Sequence, residues 1–386
     1  MKIAYVTTYD AWNSSNWNEY QTGLSGAGYY LAKSLEKIGA NLSYIGPIAK
    51  TGAILTRSKW EFYRRILKQD YYRWAEPLVW QNYAKEIARK IDNADIVLCP
   101  ENAVPIARLN CQQPLVLWTD AAIGNLIGFY DYLNNLCAET RQNIDIMEKS
   151  AFDRCDRLVF TSDWAANNAI ERYNLNPGRV SVIPWGANIE CDRTETDIEA
   201  AIASRKSDTC KLLFVGVEWH RKGGDVALEV ARQLNNRGIP TELIAIGSRP
   251  DLDSVPAFAN AIGFVDKATD IGRKTFDRLL GESHFLILPS RAETYGHVLC
   301  EANSFGVPVL ATDVGGVGTI VRDDINGKLF SSEAAIADYC EYISHRVQNY
   351  STYRDLARSS FQEYRSRLNW DVAARSILEV LEQQLL

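Results

Sequence analysis

Residues 285–318, FLILPSRAETYGHVLCEANSFGVPVLATDVGGVG, decide how this chain of 386 residues is read. The apolar run Phe285 to Leu288 reads as a buried parallel strand, Pro289 and Ser290 end it, and a helix begins near Gly296 and runs to about Phe305. A strand's carboxyl end therefore faces a helix's amino end. In a doubly wound sheet that crevice is the usual ligand site, and first-turn amides such as those of His297 and Val298 can hold a phosphate there. Glu293 lies in the loop before the helix and Glu301 about one turn inside it. Glu301 suits the two vicinal hydroxyls of a ribose, and Glu293 the hydroxyls of a second sugar.

Two acids eight apart prove little alone, but here their neighbours fall in register. The stretch Glu293-Thr-Tyr-Gly-His-Val-Leu-Cys-Glu301 resembles the Glu-x7-Glu signature of the retaining family-4 glycosyltransferases of GT-B fold. It is followed, as in that family, by a Gly306-Val-Pro-Val309 strand entry, a Gly315-Gly316 turn and Asn326-Gly327. The resemblance implies an α/β chain of two doubly wound, Rossmann-like domains with the active site in the cleft between them. It also implies a nucleoside-diphosphate sugar, above all UDP-glucose, bound by the second domain, with retention at the anomeric carbon and neither metal nor cofactor. Thr294, Tyr295 and Gly296, with Phe264 and Val265 at the end of an earlier strand, join the donor contacts it implies.

Working outward, apolar strands alternate with amphipathic helices. Ile3 to Thr7, Asn41 to Ile45, Ile96 to Cys99, Leu115 to Trp118, Leu158 to Thr161 and Val180 to Ile183 are strand candidates of the first half. The polar stretch around 188–209 interrupts the pattern, which restarts at Lys211-Leu-Leu-Phe-Val-Gly216 and continues at Leu243 to Ile246, Asn260 to Phe264, Phe285 to Leu288, Val307 to Ala311 and Gly327 to Phe330. This predicts an N-terminal acceptor domain over 1–190, a nucleotide-sugar domain over 191–369, and a helix from Trp370 that, as the resemblance implies, returns to the first domain.

The second chemical motif is Phe214-Val-Gly-Val-Glu-Trp-His-Arg-Lys-Gly-Gly-Asp225. Gly216 permits a tight turn, and Lys222, followed by Gly223, projects a cation toward the crevice of Glu293. The resembled family carries an arginine and a lysine five apart on this loop. Here Lys222 and Gly223 match, but Val217 stands where the arginine belongs, so either Arg221 compensates or one cation serves alone. Lys222, Arg221 and Glu293 are therefore the candidate catalytic residues.

In the first half, Gly23-Leu-Ser-Gly-Ala-Gly-Tyr29 reads as a loop before the first helix, with Gly26 and Gly28 offering amides to the donor phosphate. All four histidines, His220, His284, His297 and His345, lie in the second half, so the histidine that many relatives place near the reacting centre has no counterpart. Asp120 is the polar group at the corresponding strand end, either facing the acceptor or capping the next segment, with Thr119 and Ser162 as companions. The segment RSKWEFYRRILKQDYYR, 57–73, interleaves six basic residues with aromatics. Arg57, Arg64 and Arg65 can grip a phosphorylated acceptor; the same stretch suits an anionic membrane surface or a solvated helix with an aromatic inner face.

Composition limits the remaining choices. The chain carries 46% hydrophobic residues, enough for two cores, and a net charge of −6, which gives no attraction to nucleic acid. Eight scattered cysteines without a Cys-x-x-Cys pair read as reduced thiols of a cytoplasmic protein. No signal-peptide core and no apolar run of about 18 residues occurs, so membrane contact, if any, is peripheral. Two acceptors fit: a soluble sugar phosphate such as fructose 6-phosphate, as in sucrose-phosphate synthesis, or a lipid-linked or growing glycan. A nucleotide-sugar epimerase or binding protein is the alternative outside transfer. Oligomeric state is not legible in the sequence.

Overall fold

The computed structural model describes residues 1–13, 22–48, 56–91, 93–248 and 255–386. They form two compact units, Met1–Trp185 with Trp370–Leu386, and Gly186–Asn369. Each is built on a six-stranded parallel sheet with helices, so the α/β class read from the sequence holds.

The first unit contains β1 (Lys2–Val6), β2 (Asn41–Ile45), β3 (Ile96–Cys99), β4 (Leu115–Thr119), β5 (Arg157–Phe160) and β6 (Val180–Val182), in the order β2-β1-β3-β4-β5-β6. β3 and β4 are buried along their whole length, which is why IVLC and LVLWT are apolar without alternation. The helix Thr22–Lys37 covers the sheet with Ala27, Leu31 and Leu35, spaced by four along one face. That helix corrects the glycine-loop expectation: Gly26 and Gly28 lie inside it, past the four amides that a helix start leaves open. Gly28 serves close packing instead. A Cβ there would meet the Tyr9 hydroxyl at 2.2 Å, and its carbonyl accepts from the Tyr5 hydroxyl at 2.6 Å. The polar loop expected before Gly23 lies partly outside the described residues.

The terminal helix Trp370–Glu382 packs in this unit against Thr22–Lys37. Asp371 accepts from Ser34 Oγ at 3.0 Å and Lys37 Nζ at 2.6 Å. Such surface pairs contribute about 0–1 kcal/mol, so the buried face of Ala373, Ala374, Ile377 and Leu381 does most of the holding.

The second unit contains β7 (Cys210–Val215), β8 (Thr241–Ile246), β9 (Ala259–Gly263), β10 (Phe285–Leu288), β11 (Val309–Thr312) and β12 (Gly327–Phe330), in the order β12-β11-β10-β7-β8-β9. Taken from β9, this is the Rossmann arrangement, and the direction of winding reverses between β7 and β10. Those two strands pair directly, Phe285 with Leu212 and Leu286 with Leu213. Phe285 is fully buried, and truncating it to alanine costs about 3–5 kcal/mol. The polar stretch after residue 188 holds the helix Glu195–Ser204, opened by a capping box between Thr194 and Asp197. All eight cysteines are free thiols, six of them buried.

Candidate functional site

The carboxyl ends of β7 and β10 carry both motifs, so the topology places Lys222 and Glu293 at the switch point where such sheets bind ligands. The chain leaves β7 through Gly216, where a Cβ would meet the Lys222 side chain at 2.7 Å. Gly223 then adopts a left-handed φ of +79°, and a Cβ there would strike the Pro289 carbonyl oxygen at 2.0 Å. Only glycine permits this approach. The two loops are also stitched together: Arg291 N donates to the Arg221 carbonyl at 2.8 Å, and the Arg291 guanidinium grips Asp225 at 2.7 and 2.9 Å. That hydrogen bond holds the Asp225 carboxyl below its usual range, despite partial desolvation.

Lys222 Nζ donates to Glu293 Oε2, and both side chains are nearly buried. Glu301, inside the helix His297–Asn303, has only 3% of its side chain exposed and pairs with Lys267 Nζ at 2.6 Å. Each carboxylate of the signature thus faces its own lysine, delivered by a different loop. Glu293 is further fixed through its carbonyl, which accepts from Gly316 N at 3.3 Å in the Gly315-Gly316 turn. Gly296, at φ +97°, starts the helix, whose first turn presents the amides of His297 and Val298 at this edge. The His297 ring donates through Nδ1 to the Gly186 carbonyl at 3.1 Å. Burial drives its pKa down to about 4, and Lys267 and Lys222 push the same way against that hydrogen bond, so the ring is neutral at pH 7.

The other predicted donor contacts divide. Thr294 and Tyr295 are buried, and the Tyr295 ring packs 5.4 Å from that of His297. Phe264 is exposed at the end of β9, with Val265 half-buried beside it. The Arg221 guanidinium is held by Glu218 and by the Ala292 carbonyl at 2.8 Å. Asn326 and Asn303 bond side chain to side chain at 2.7 Å, fastening the Glu301 helix to the start of β12.

In the first unit the acceptor candidates are taken up locally. Ser162 Oγ caps the helix Asp163–Tyr173 by accepting from Ala165 N at 3.1 Å. Thr119 is buried and donates to the Ala121 carbonyl, while Asp120 Oδ1 accepts from Ala121 N at 3.0 Å. The segment 57–73 is not one helix. Arg57–Phe62 continues as a π-turn, Tyr63–Leu67, and ends in a left-handed Lys68. Arg64 and Arg65 both pair with Glu61, Arg64 also lies 4.5 Å over the Trp60 ring, and Arg57 is exposed. Tyr71 faces inward, stacked on Tyr63 at 5.2 Å, but Phe62 faces solvent, against the expected aromatic inner face.

Three residues of the second-unit site escaped the sequence reading: Lys267, Arg291 and Asp225. Arg291 carries a weak signal, being the only cation between β10 and Glu293. Among the described residues no His, Cys, Asp or Glu cluster is placed to hold a metal, and no helix is long and apolar enough to cross a membrane.

Comparison with known proteins agrees with this architecture. Residues 196–362 match the family model of glycosyl transferases group 1. D-inositol 3-phosphate glycosyltransferase of Gordonia bronchialis is 28% identical over 247 residues, covering 60% of this chain and 53% of that protein. The chain thus spans about half the length of the curated relatives it matches. Sucrose-phosphate synthase of Thermosynechococcus elongatus superposes with a TM-score of 0.66 at 14% identity, over 99% of this chain and 98% of that one. Anabaena HepE, solved in complex with UDP-glucose, gives 0.64 at 14%, over 99% and 100%. The stretch that matches the glycosyl transferases group 1 model, residues 196–362, holds Lys222, Lys267, Glu293 and Glu301, and the chain as a whole shares the GT-B fold of these solved structures.

Proposed function

We propose that this protein is a retaining glycosyltransferase that moves glucose from UDP-glucose to a hydroxyl of a small phosphorylated sugar or polyol. The observation that carries the reading is the lysine-paired carboxylate couple at the switch point of the second sheet. Ribose hydroxyls donate to Glu301, and glucose hydroxyls to Glu293. The donor diphosphate competes with Glu293 for Lys222, so the ammonium meets the phosphate as charge builds on the leaving oxygen. An interaction that strengthens along the reaction lowers the barrier more than it tightens ground-state binding. The C1–phosphate bond breaks as the acceptor oxygen bonds C1 on the same face, and the acceptor's proton passes to the departing phosphate oxygen. That route needs no protein base.

The names of the relatives support a phosphorylated acceptor: one acts on D-inositol 3-phosphate, and a structural neighbour makes a sucrose phosphate. A second reading, an acceptor presented at a membrane, is favoured by one observation. Phe62, Ile66 and Leu67 are 51%, 67% and 46% exposed beside Arg57, Arg64, Arg65 and Lys68. A screen of phosphorylated sugars and polyols read by released UDP, with the product's anomeric configuration taken from its proton NMR coupling, tests the proposal. Turnover with a phosphorylated acceptor and an axial product linkage are expected; an inverted linkage would overturn retention.

A further inference from the structure

Lys267 matches no motif and lies in the loop between β9 and the helix Asp270–Glu282. Its ammonium is nonetheless the neighbour of the most enclosed carboxylate of the site. It donates to Glu301 Oε1 at 2.6 Å and to the Asn188 carbonyl at 3.4 Å, and it sits 4.9 Å over the Phe276 ring. Three elements far apart in sequence therefore fix one ammonium. Its own side chain is 32% exposed while that of Glu301 is 3% exposed, so the pair is open on the lysine's side.

A carboxylate removed from water needs a compensating charge or several donors. Glu301 has one such partner, on Oε1, and among the described residues no other hydrogen bond reaches its carboxylate. Its Oε2 is the acceptor left for a ligand. We infer that Lys267 is the positioning residue of ribose recognition: by holding Oε1 it keeps Glu301 turned so that the two hydroxyls of a ribonucleoside diphosphate find acceptors at once. The inference rests on the reading of Glu301 as the ribose-binding acid. Without the ammonium, the carboxylate loses the contact that orients it, and the distinction between a ribose and a 2′-deoxyribose goes with it.

The test is calorimetric titration of the full chain with UDP and with 2′-deoxy-UDP, for the wild type and for Lys267→Met, Lys267→Gln, Lys267→Arg and Glu301→Gln. Far-UV circular dichroism and the melting temperature certify folding of each. The wild type should prefer UDP by about tenfold or more, the worth of one hydrogen bond to a charged group. Lys267→Met and Lys267→Gln should reduce the preference below about threefold, and Lys267→Arg should restore most of it, which a purely structural lysine would not do. If folded Lys267→Met and Lys267→Gln keep the full preference while Glu301→Gln loses it, the ribose reading stands and the role of Lys267 is overturned. If Glu301→Gln keeps it as well, the ribose reading itself falls, and this inference with it.

Discussion

Lys222 and Glu293 are 71 residues apart in sequence and form an ion pair at the junction of β7 and β10. A lysine already neutralised by a carboxylate gains less from ground-state phosphate than an unpaired one, and more from the extra charge of a leaving diphosphate. Lys222→Ala should therefore lower kcat by about a hundredfold or more, the range for loss of one preorganised charge-stabilising donor. Arg221→Ala should cost much less, because its guanidinium is committed to Glu218 and the Ala292 carbonyl. Equal losses in UDP-release kinetics would mean that Arg221 leaves those partners to join the phosphate.

Gly223→Ala tests the backbone that aims Lys222. With φ at +79° and the Pro289 carbonyl 2.0 Å from the would-be Cβ, the substitution should destabilise the protein by more than about 1 kcal/mol. Gly216→Ala meets only the flexible Lys222 stem, so it should cost activity more than stability. Denaturant melts beside kinetics separate the two, and a Gly216→Ala variant of normal kcat would sink the second expectation.

His284 gives the acid limb of stability. Its Nδ1 accepts from Lys211 N at 3.0 Å and its Nε2 donates to the Lys206 carbonyl at 3.0 Å, an arrangement only the neutral ring satisfies. Burial, with Arg205 adding to it, lowers its pKa to about 4. The unfolded chain takes up the proton first as pH falls, so this contribution is complete above about 6.5 and is lost between there and about 4, on the order of 3 kcal/mol. His284→Gln should flatten the fall of melting temperature across that window; an unchanged slope would contradict it.

The segment 57–68 separates the two acceptor readings. Serine at Phe62, Ile66 and Leu67 together should leave turnover on a soluble phosphorylated acceptor unchanged, because none of the three side chains is engaged in the core. Loss of co-sedimentation with anionic vesicles in that triple variant, with wild type bound, would favour the membrane reading. If neither form sediments, single substitutions at Arg57, Arg64 and Arg65 should raise the acceptor KM unequally, since a phosphate is held by directional contacts rather than by summed charge.

The sheets were legible because parallel strands buried on both faces have to be apolar throughout, as IVLC and FLIL are. Glu293, Glu301 and Lys222 stood out through the glycines and prolines around them, which mark the turns that bring them together. Gly26 and Gly28 read as a loop because glycine signals both a flexible turn and a tight helix contact; both lie inside the helix Thr22–Lys37, and at Gly28 the Tyr9 ring shows the close contact. Lys267 had no local signal: its meaning comes from Glu301, 34 residues on. Arg64 and Arg65 looked available for a phosphate because sequence does not show that both turn to Glu61.

The most direct test of the account is titration of UDP-glucose into the wild type, Lys222→Met and Glu301→Ala. Saturable binding is expected, weakened in Glu301→Ala by about 1–3 kcal/mol for the lost charged hydrogen bonds, and weakened in Lys222→Met as well. Unchanged affinity in both folded variants would contradict the assignment of the lysine-paired carboxylates as the donor site.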